Sequence, residues 1–96
     1  MLDKMKQLME MKRQADQIKR ELESASVEVN EVSGIRLTIT GAQNFRSVEI
    51  EENLLGAENK KRLEADLLRS LNAAIKKSQV MAAQKMKEVM PGFPGL

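Results

Sequence analysis

Basic side chains recur at a spacing of seven residues in both halves of the sequence. Seven residues make almost two helical turns, so each series would form a row along one side of a helix. Charges about 10 Å apart on a rigid rod could meet successive phosphates of a nucleic-acid duplex, fixing affinity and register but reading little sequence. Lys87, eleven residues after the second series, falls on the same side of its helix as that series. The candidate binding residues in these rows are Lys6, Arg13, Arg20, Arg62, Arg69, Lys76 and Lys87.

The residues that catalytic, metal-binding and disulfide sites require are absent from the sequence. The chain has no Cys, His, Trp or Tyr, which excludes disulfides, thiolate or imidazole metal sites and Ser-His or Cys-His nucleophile pairs. No glycine-rich phosphate loop is present. Glu49, Glu51 and Glu52 could bind a hard cation, but we favour an acidic strand edge that blocks edge pairing. We therefore expect that the protein is not an enzyme and that it binds no cofactor, metal ion or small-molecule substrate.

The length of 96 residues allows one domain, and the net charge of +2 is unevenly distributed. Residues 1–24 carry +1, residues 25–55 carry −3 and residues 56–96 carry +4. Positive charge at both ends is a weak indication of a polyanionic partner. The start of the chain is charged and has no apolar signal core, and no apolar run could span a membrane, so we expect a cytoplasmic location.

Two long segments have helical periodicity. Residues 2–24 repeat apolar side chains at spacings of three and four, with no Gly or Pro. The period returns from about residue 57 to about residue 90. The first apolar seam is Leu8, Met11, Ala15, Ile18 and Leu22, and the second is Leu63, Leu67, Leu71, Ala74, Ile75, Ser78, Ala82, Met86 and Val89.

Between the helices, β-branched residues alternate with polar ones in three short runs around residues 27–29, 35–40 and 48–50. This period of two predicts three half-buried strands in an antiparallel meander with one apolar face. A three-residue loop at 32–34 would place Val29 opposite Leu37 and Gly34 in the left-handed region, and it keeps the apolar side chains on one face. The second turn is predicted at 41–44.

The helices are too long for a compact monomer. A 34-residue helix is roughly 50 Å long, whereas a compact domain of this size is about 30 Å across. A second copy of the chain is the simplest cover for the overhanging apolar seams, so we expect a homodimer. The alternative is a helix that kinks at residues 70–72 or 78–79.

The cationic rows also have a simpler interpretation. Most amphipathic helices place Lys and Arg on the solvent side. Asp16 with Arg20 and Glu58 with Arg62 are pairs at i,i+4 that could support the helices alone. Periodicity by itself leaves both interpretations open.

Together these segments resemble the YbaB/EbfC family of bacterial nucleoid-associated proteins along nearly the whole chain. The resemblance is carried by the block Leu37–Asn44, the strand Arg46–Ile50, the pairs Leu54-Leu55 and Leu67-Leu68, the Asn72-Ala73-Ala74 run and the Pro91-Gly92-Phe93 tail. The segment 30–34 has a single Gly where many members have a Gly-rich loop.

The resemblance implies an α+β subunit of order α-β-β-β-α: a three-stranded antiparallel meander flanked by two long helices, paired into a tweezer-shaped homodimer. It also implies binding of double-stranded DNA through the helices and a place in the nucleoid, with a role in organising it or influencing gene expression. We expect one YbaB-like domain at residues 1–90 and a flexible Pro/Gly-rich tail at 91–96. The competing hypothesis is a protein–protein assembly module that uses Met-rich apolar helix surfaces.

Overall fold

The computed structural model describes residues 2–89, which form a helix, three strands and a second helix. The elements are α1 (Leu2–Ser24), β1 (Ser26–Val29), β2 (Ile35–Thr40), β3 (Phe45–Ile50) and α2 (Lys60–Val89). The predicted α-β-β-β-α order is confirmed. Helix α2 begins three residues later than predicted, because Ala57–Asn59 form a 3-10 turn. The predicted tail at 91–96 lies outside the described residues.

The sheet has the strand order β1-β2-β3 and is antiparallel throughout. Val29 lies opposite Leu37, as predicted, and Gly34 has a φ of +93°, in the left-handed region. A Cβ there would lie 2.7 Å from Leu54 Cδ1, so the Leu54 side chain would have to move to accept one. The connection is longer than the predicted three residues, because the regular β1–β2 pairing ends at Val29.

The core lies between the sheet and α2. Its buried apolar members are Val29, Val32, Ile35, Leu37, Ile39 and Ala74. Helix α2 packs on the sheet through small residues. Ser70, Ala74 and Ser78 recur every four residues, and each is 0% exposed. The predicted leucine seam of α2 flanks this small-residue line and is half-buried.

Strand β3 is more exposed than the half-buried strand that was predicted. Val48 pairs with the fully buried Leu37 on the same face of the sheet, yet Val48 is 52% exposed. The reason is that α2 packs on β1 and β2. Within one subunit, the apolar face of β3 is therefore left largely open.

Helix α1 and the end of α2 extend away from the sheet, and we call α1 together with residues 82–89 the arm. Ile18 is buried, but the seam residues Leu8 and Met11 are 65% and 57% exposed. The chain measures 67 Å along its longest axis and its radius of gyration is 18.5 Å, against about 12.5 Å for a compact domain of this length. The predicted overhang is confirmed, and α2 is continuous through both positions where the alternative placed a kink.

Neither of the helices in the described part of the chain combines the length and apolar character needed to cross a bilayer.

Candidate nucleic-acid interface

The basic row on α1 is open to solvent. Lys6, Arg13 and Arg20 are all exposed, and the Arg13 side chain retains 74% of its accessible surface. Arg13 Nη2 donates a hydrogen bond of 2.6 Å to the carboxylate of Glu10, and this bond together with the charge of Glu10 raises the pKa of Arg13. An exposed pair of this kind holds the guanidinium weakly, so Arg13 remains available to an incoming anion.

The basic row on α2 is equally accessible. Arg62, Arg69, Lys76 and Lys87 are exposed, and the Arg62 side chain is 86% exposed. Arg62 Nε lies 3.8 Å from Asp66, so its ion pair is with Asp66 and not with the predicted partner Glu58. The spacing of this row follows from the helix itself, which is unbroken over 30 residues.

The structure spreads the seven candidate residues along its long axis and does not gather them into a pocket. Arg13 lines a polar groove of about 420 Å³ between α1 and the last turns of α2, together with Glu10, Lys85 and Glu88. Arg62 lies at the opposite end of α2, beside Asn59 and the 3-10 turn that precedes the helix. An extended row of charges suits an extended polyanion better than a small anionic ligand.

The two basic residues of the sheet have intramolecular partners. Arg36 hydrogen-bonds to Glu49, its cross-strand neighbour, and lies 3.6 Å from Glu28 on the other side. The hydrogen bond to Glu49 and the charges of both carboxylates raise the pKa of Arg36. Arg46 donates a hydrogen bond of 2.8 Å to the carbonyl oxygen of Glu23. Uncommitted positive charge therefore lies on the helices.

The solvent-facing side of the sheet is acidic. Glu28, Glu49 and Glu51 are all exposed there, and Arg36 pairs with Glu28 and Glu49. Within residues 2–89, no three carboxylates converge into a metal-binding group. A negative sheet beside positive helices would repel phosphates from one part of the subunit and attract them to the other.

A polar cluster fixes the base of the arm, and periodicity did not predict it. The carbonyl oxygen of Thr40 accepts a 2.7 Å hydrogen bond from Ser78 Oγ, which ties α2 to the β2–β3 turn. Asn44 donates to the Glu23 carboxylate, and the backbone N–H of Gly41 donates to Ala25. The feature of the sequence that could have indicated this contact is the four-residue spacing of Ser70, Ala74 and Ser78, because small residues on one side of a helix allow it to pack closely on a sheet.

Gly41 makes this junction possible, because a Cβ there would lie 2.9 Å from Leu22 Cδ2 and 3.3 Å from the Leu22 carbonyl oxygen. The end of α1 therefore packs directly on the backbone of the turn, which sets the direction in which α1 leaves the sheet.

The fold and the distribution of charge both match a class of nucleic-acid-binding proteins. The chain belongs to the YbaB/EbfC DNA-binding family, whose model matches residues 1–93. Among its relatives is a nucleoid-associated protein of Ruminiclostridium cellulolyticum, 25% identical over 93 residues, which covers 96% of this chain and 81% of the relative. The family expected from the sequence is confirmed, and membership of a DNA-binding family agrees with the prediction that the chain is not an enzyme.

Proposed function

We propose that the protein is a non-enzymatic, nucleoid-associated protein that binds double-stranded DNA as a homodimer through the basic rows of its two helices. The observation that carries the proposal is the division of charge. All seven row residues are exposed on the helices, and in residues 2–89 their ion pairs are those of the exposed Arg13 with Glu10 and the exposed Arg62 with Asp66, whereas both basic residues of the sheet, Arg36 and Arg46, have intramolecular acceptors. Phosphate contacts are the main source of affinity for proteins that bind DNA without reading its sequence.

The open face of β3 supports self-association. Val48 is 52% exposed, Phe45 is 39% exposed, and Ile50 on the same strand is half-buried. On α2, Leu68 is 61% exposed, one residue after the half-buried Leu67. Apolar side chains of this size on a sheet face adjoining the core are normally covered in a stable protein. A second copy with the same surface would cover them by two-fold pairing.

A homodimer would present four basic rows, one on each of its four helices. Two linked binding surfaces hold a duplex more tightly than one, because the second contact forms at a high effective concentration. Contacts with phosphates carry no sequence information, so the rows alone would distribute the protein along DNA with little sequence preference.

The proposal predicts a strong salt dependence. Titration of the dimer with a duplex at several salt concentrations should show log K falling linearly with log salt. With six to ten phosphate contacts, the affinity should fall by about 10³-fold or more between about 50 and 200 mM salt. Fluorescence anisotropy of a labelled duplex measures this directly. Affinity that is indifferent to salt would contradict binding through the basic rows.

A further inference from the structure

The first half of α1 carries a second apolar strip, separate from its packing seam. Leu2, Met5 and Met9 are spaced by three and four residues and therefore share one side of the helix. They are 74%, 62% and 70% exposed. Their common direction is about 130° around the helix from the direction of the Leu8–Leu22 seam, at about 100° per residue. Packing of α1 on α2 therefore does not account for them.

Positive charges border this strip on both sides. Lys6 and Arg13 lie along one side and Lys12 along the other, and all three are exposed. Asp3 and Glu10 lie about 105–130° around the helix from the strip, although Glu10 accepts the hydrogen bond of Arg13. Asp16, two turns beyond Met9 in the same direction, ends the strip. A surface with an apolar centre between two cationic margins complements a ligand with an apolar centre between two lines of negative charge.

The DNA major groove has that arrangement. Its floor carries the C5 methyl of thymine, the apolar group of its base edges, and a phosphate backbone runs along each margin. An α-helix with its side chains is about 10–12 Å in diameter, which fits the major groove of about 12 Å and not the minor groove of about 6 Å.

We propose that the face of α1 formed by Leu2, Met5, Lys6, Met9, Lys12 and Arg13 lies in the major groove. There Leu2, Met5 and Met9 contact thymine methyl groups, while the basic residues hold phosphates of the two strands. This inference rests on the proposed function and adds to it a preference, since duplexes with many thymine methyls along the groove are bound more tightly. The basic rows supply affinity, and the apolar strip supplies discrimination.

The test compares one A·T-rich duplex with the same duplex in which uracil replaces every thymine. Uracil keeps the Watson–Crick and groove hydrogen-bonding groups and removes the methyl. Burial of one methyl favours binding by about fourfold, so two contacts give a complex with the uracil duplex that is weaker by roughly 15-fold. Both duplexes are measured at the same salt concentration by competition in fluorescence anisotropy.

The matched variants keep the helix and change the strip. Met5→Gln with Met9→Gln conserves side-chain length and helix propensity, and it should bring the ratio between the two duplexes close to one. Met11→Gln is the control, because Met11 is 57% exposed but lies on the seam side, and it should leave the ratio unchanged.

Equal affinity of the native protein for the two duplexes, with salt-dependent binding intact, would overturn the inference and leave the proposed function standing. Absence of binding to either duplex would overturn both. Sedimentation of the DNA-free protein gives a separate readout. If the double variant reduces the size of the assembly and the native protein shows no thymine preference, the strip is a contact between copies and the inference is wrong.

Discussion

Reversal of the α2 row by Arg62→Glu, Arg69→Glu and Lys76→Glu is expected to abolish DNA binding while the protein stays folded. All three side chains are exposed, and none belongs to the core between α2 and the sheet. In a dimer the change removes six phosphate contacts and replaces them with repulsion. We expect a salt slope that is lower by about six and an affinity lower by at least about 10³-fold at physiological salt.

The matched control makes the same change in net charge on other faces of the same helix. Lys60→Glu, Lys61→Glu and Lys77→Glu change the net charge equally, and these lysines are also exposed. Binding by the control should weaken much less than binding by the row variant. Circular dichroism and thermal unfolding establish that both proteins keep their helices. Equal losses in the two variants would show that overall charge, and not the row, controls binding.

Val48→Asp combined with Leu68→Asp is expected to convert the dimer into monomers. Both positions are exposed in the single subunit, so the isolated subunit tolerates the carboxylates. In the proposed dimer the same carboxylates would be buried without partners, which costs several kcal/mol for each charge. The dimer dissociation constant should rise at least about 100-fold, and DNA affinity should fall by a similar factor as the second binding surface is lost.

Val80→Asp is the control for this experiment. Val80 is 58% exposed on α2, close to the exposure of Leu68, but it lies beside Val27 and Lys77 at the β1 side of the sheet. Sedimentation equilibrium at micromolar concentration should find this control dimeric and the double variant monomeric. A double variant that remains dimeric would place the contact between copies elsewhere.

Much of the sheet could be predicted because its period and one glycine restrict it. Val29 can face the core together with Leu37 in one register only, and Gly34 supplies the left-handed residue that this register needs. The two helices followed from their apolar spacing for a similar reason, because each seam persists over many turns.

The openness of β3 could not be predicted, because it depends on which strands α2 covers. The alternation of Val48 and Ile50 indicates an apolar face, but it does not indicate which part of this chain or of a partner covers that face. In the same way, the sequence could not show that Arg36 and Arg46 have internal partners. The Arg36 pairs arise across strands, and Arg46 reaches the end of α1 from a β-bulge near Thr38 and Ile39.

The basic rows could be predicted as helix faces, but their use as a single interface depends on how two subunits are arranged. Helical periodicity places Arg13 and Arg20 on one side of α1, and the structure leaves that side exposed. The distance between rows on different copies is a property of the dimer. For that reason the assignment of individual residues to DNA binding remains our proposal, whereas membership of the family is established.

Lysine acetylation of the native protein, with and without duplex DNA, tests the central claim most directly. Mass spectrometry measures the reactivity of each lysine in one experiment. We predict that DNA protects Lys6, Lys76 and Lys87 of the rows and leaves Lys60 and Lys77, on other faces of α2, reactive. Unchanged reactivity of the row lysines in a saturated complex, or protection confined to Lys60 and Lys77, would contradict binding through the rows.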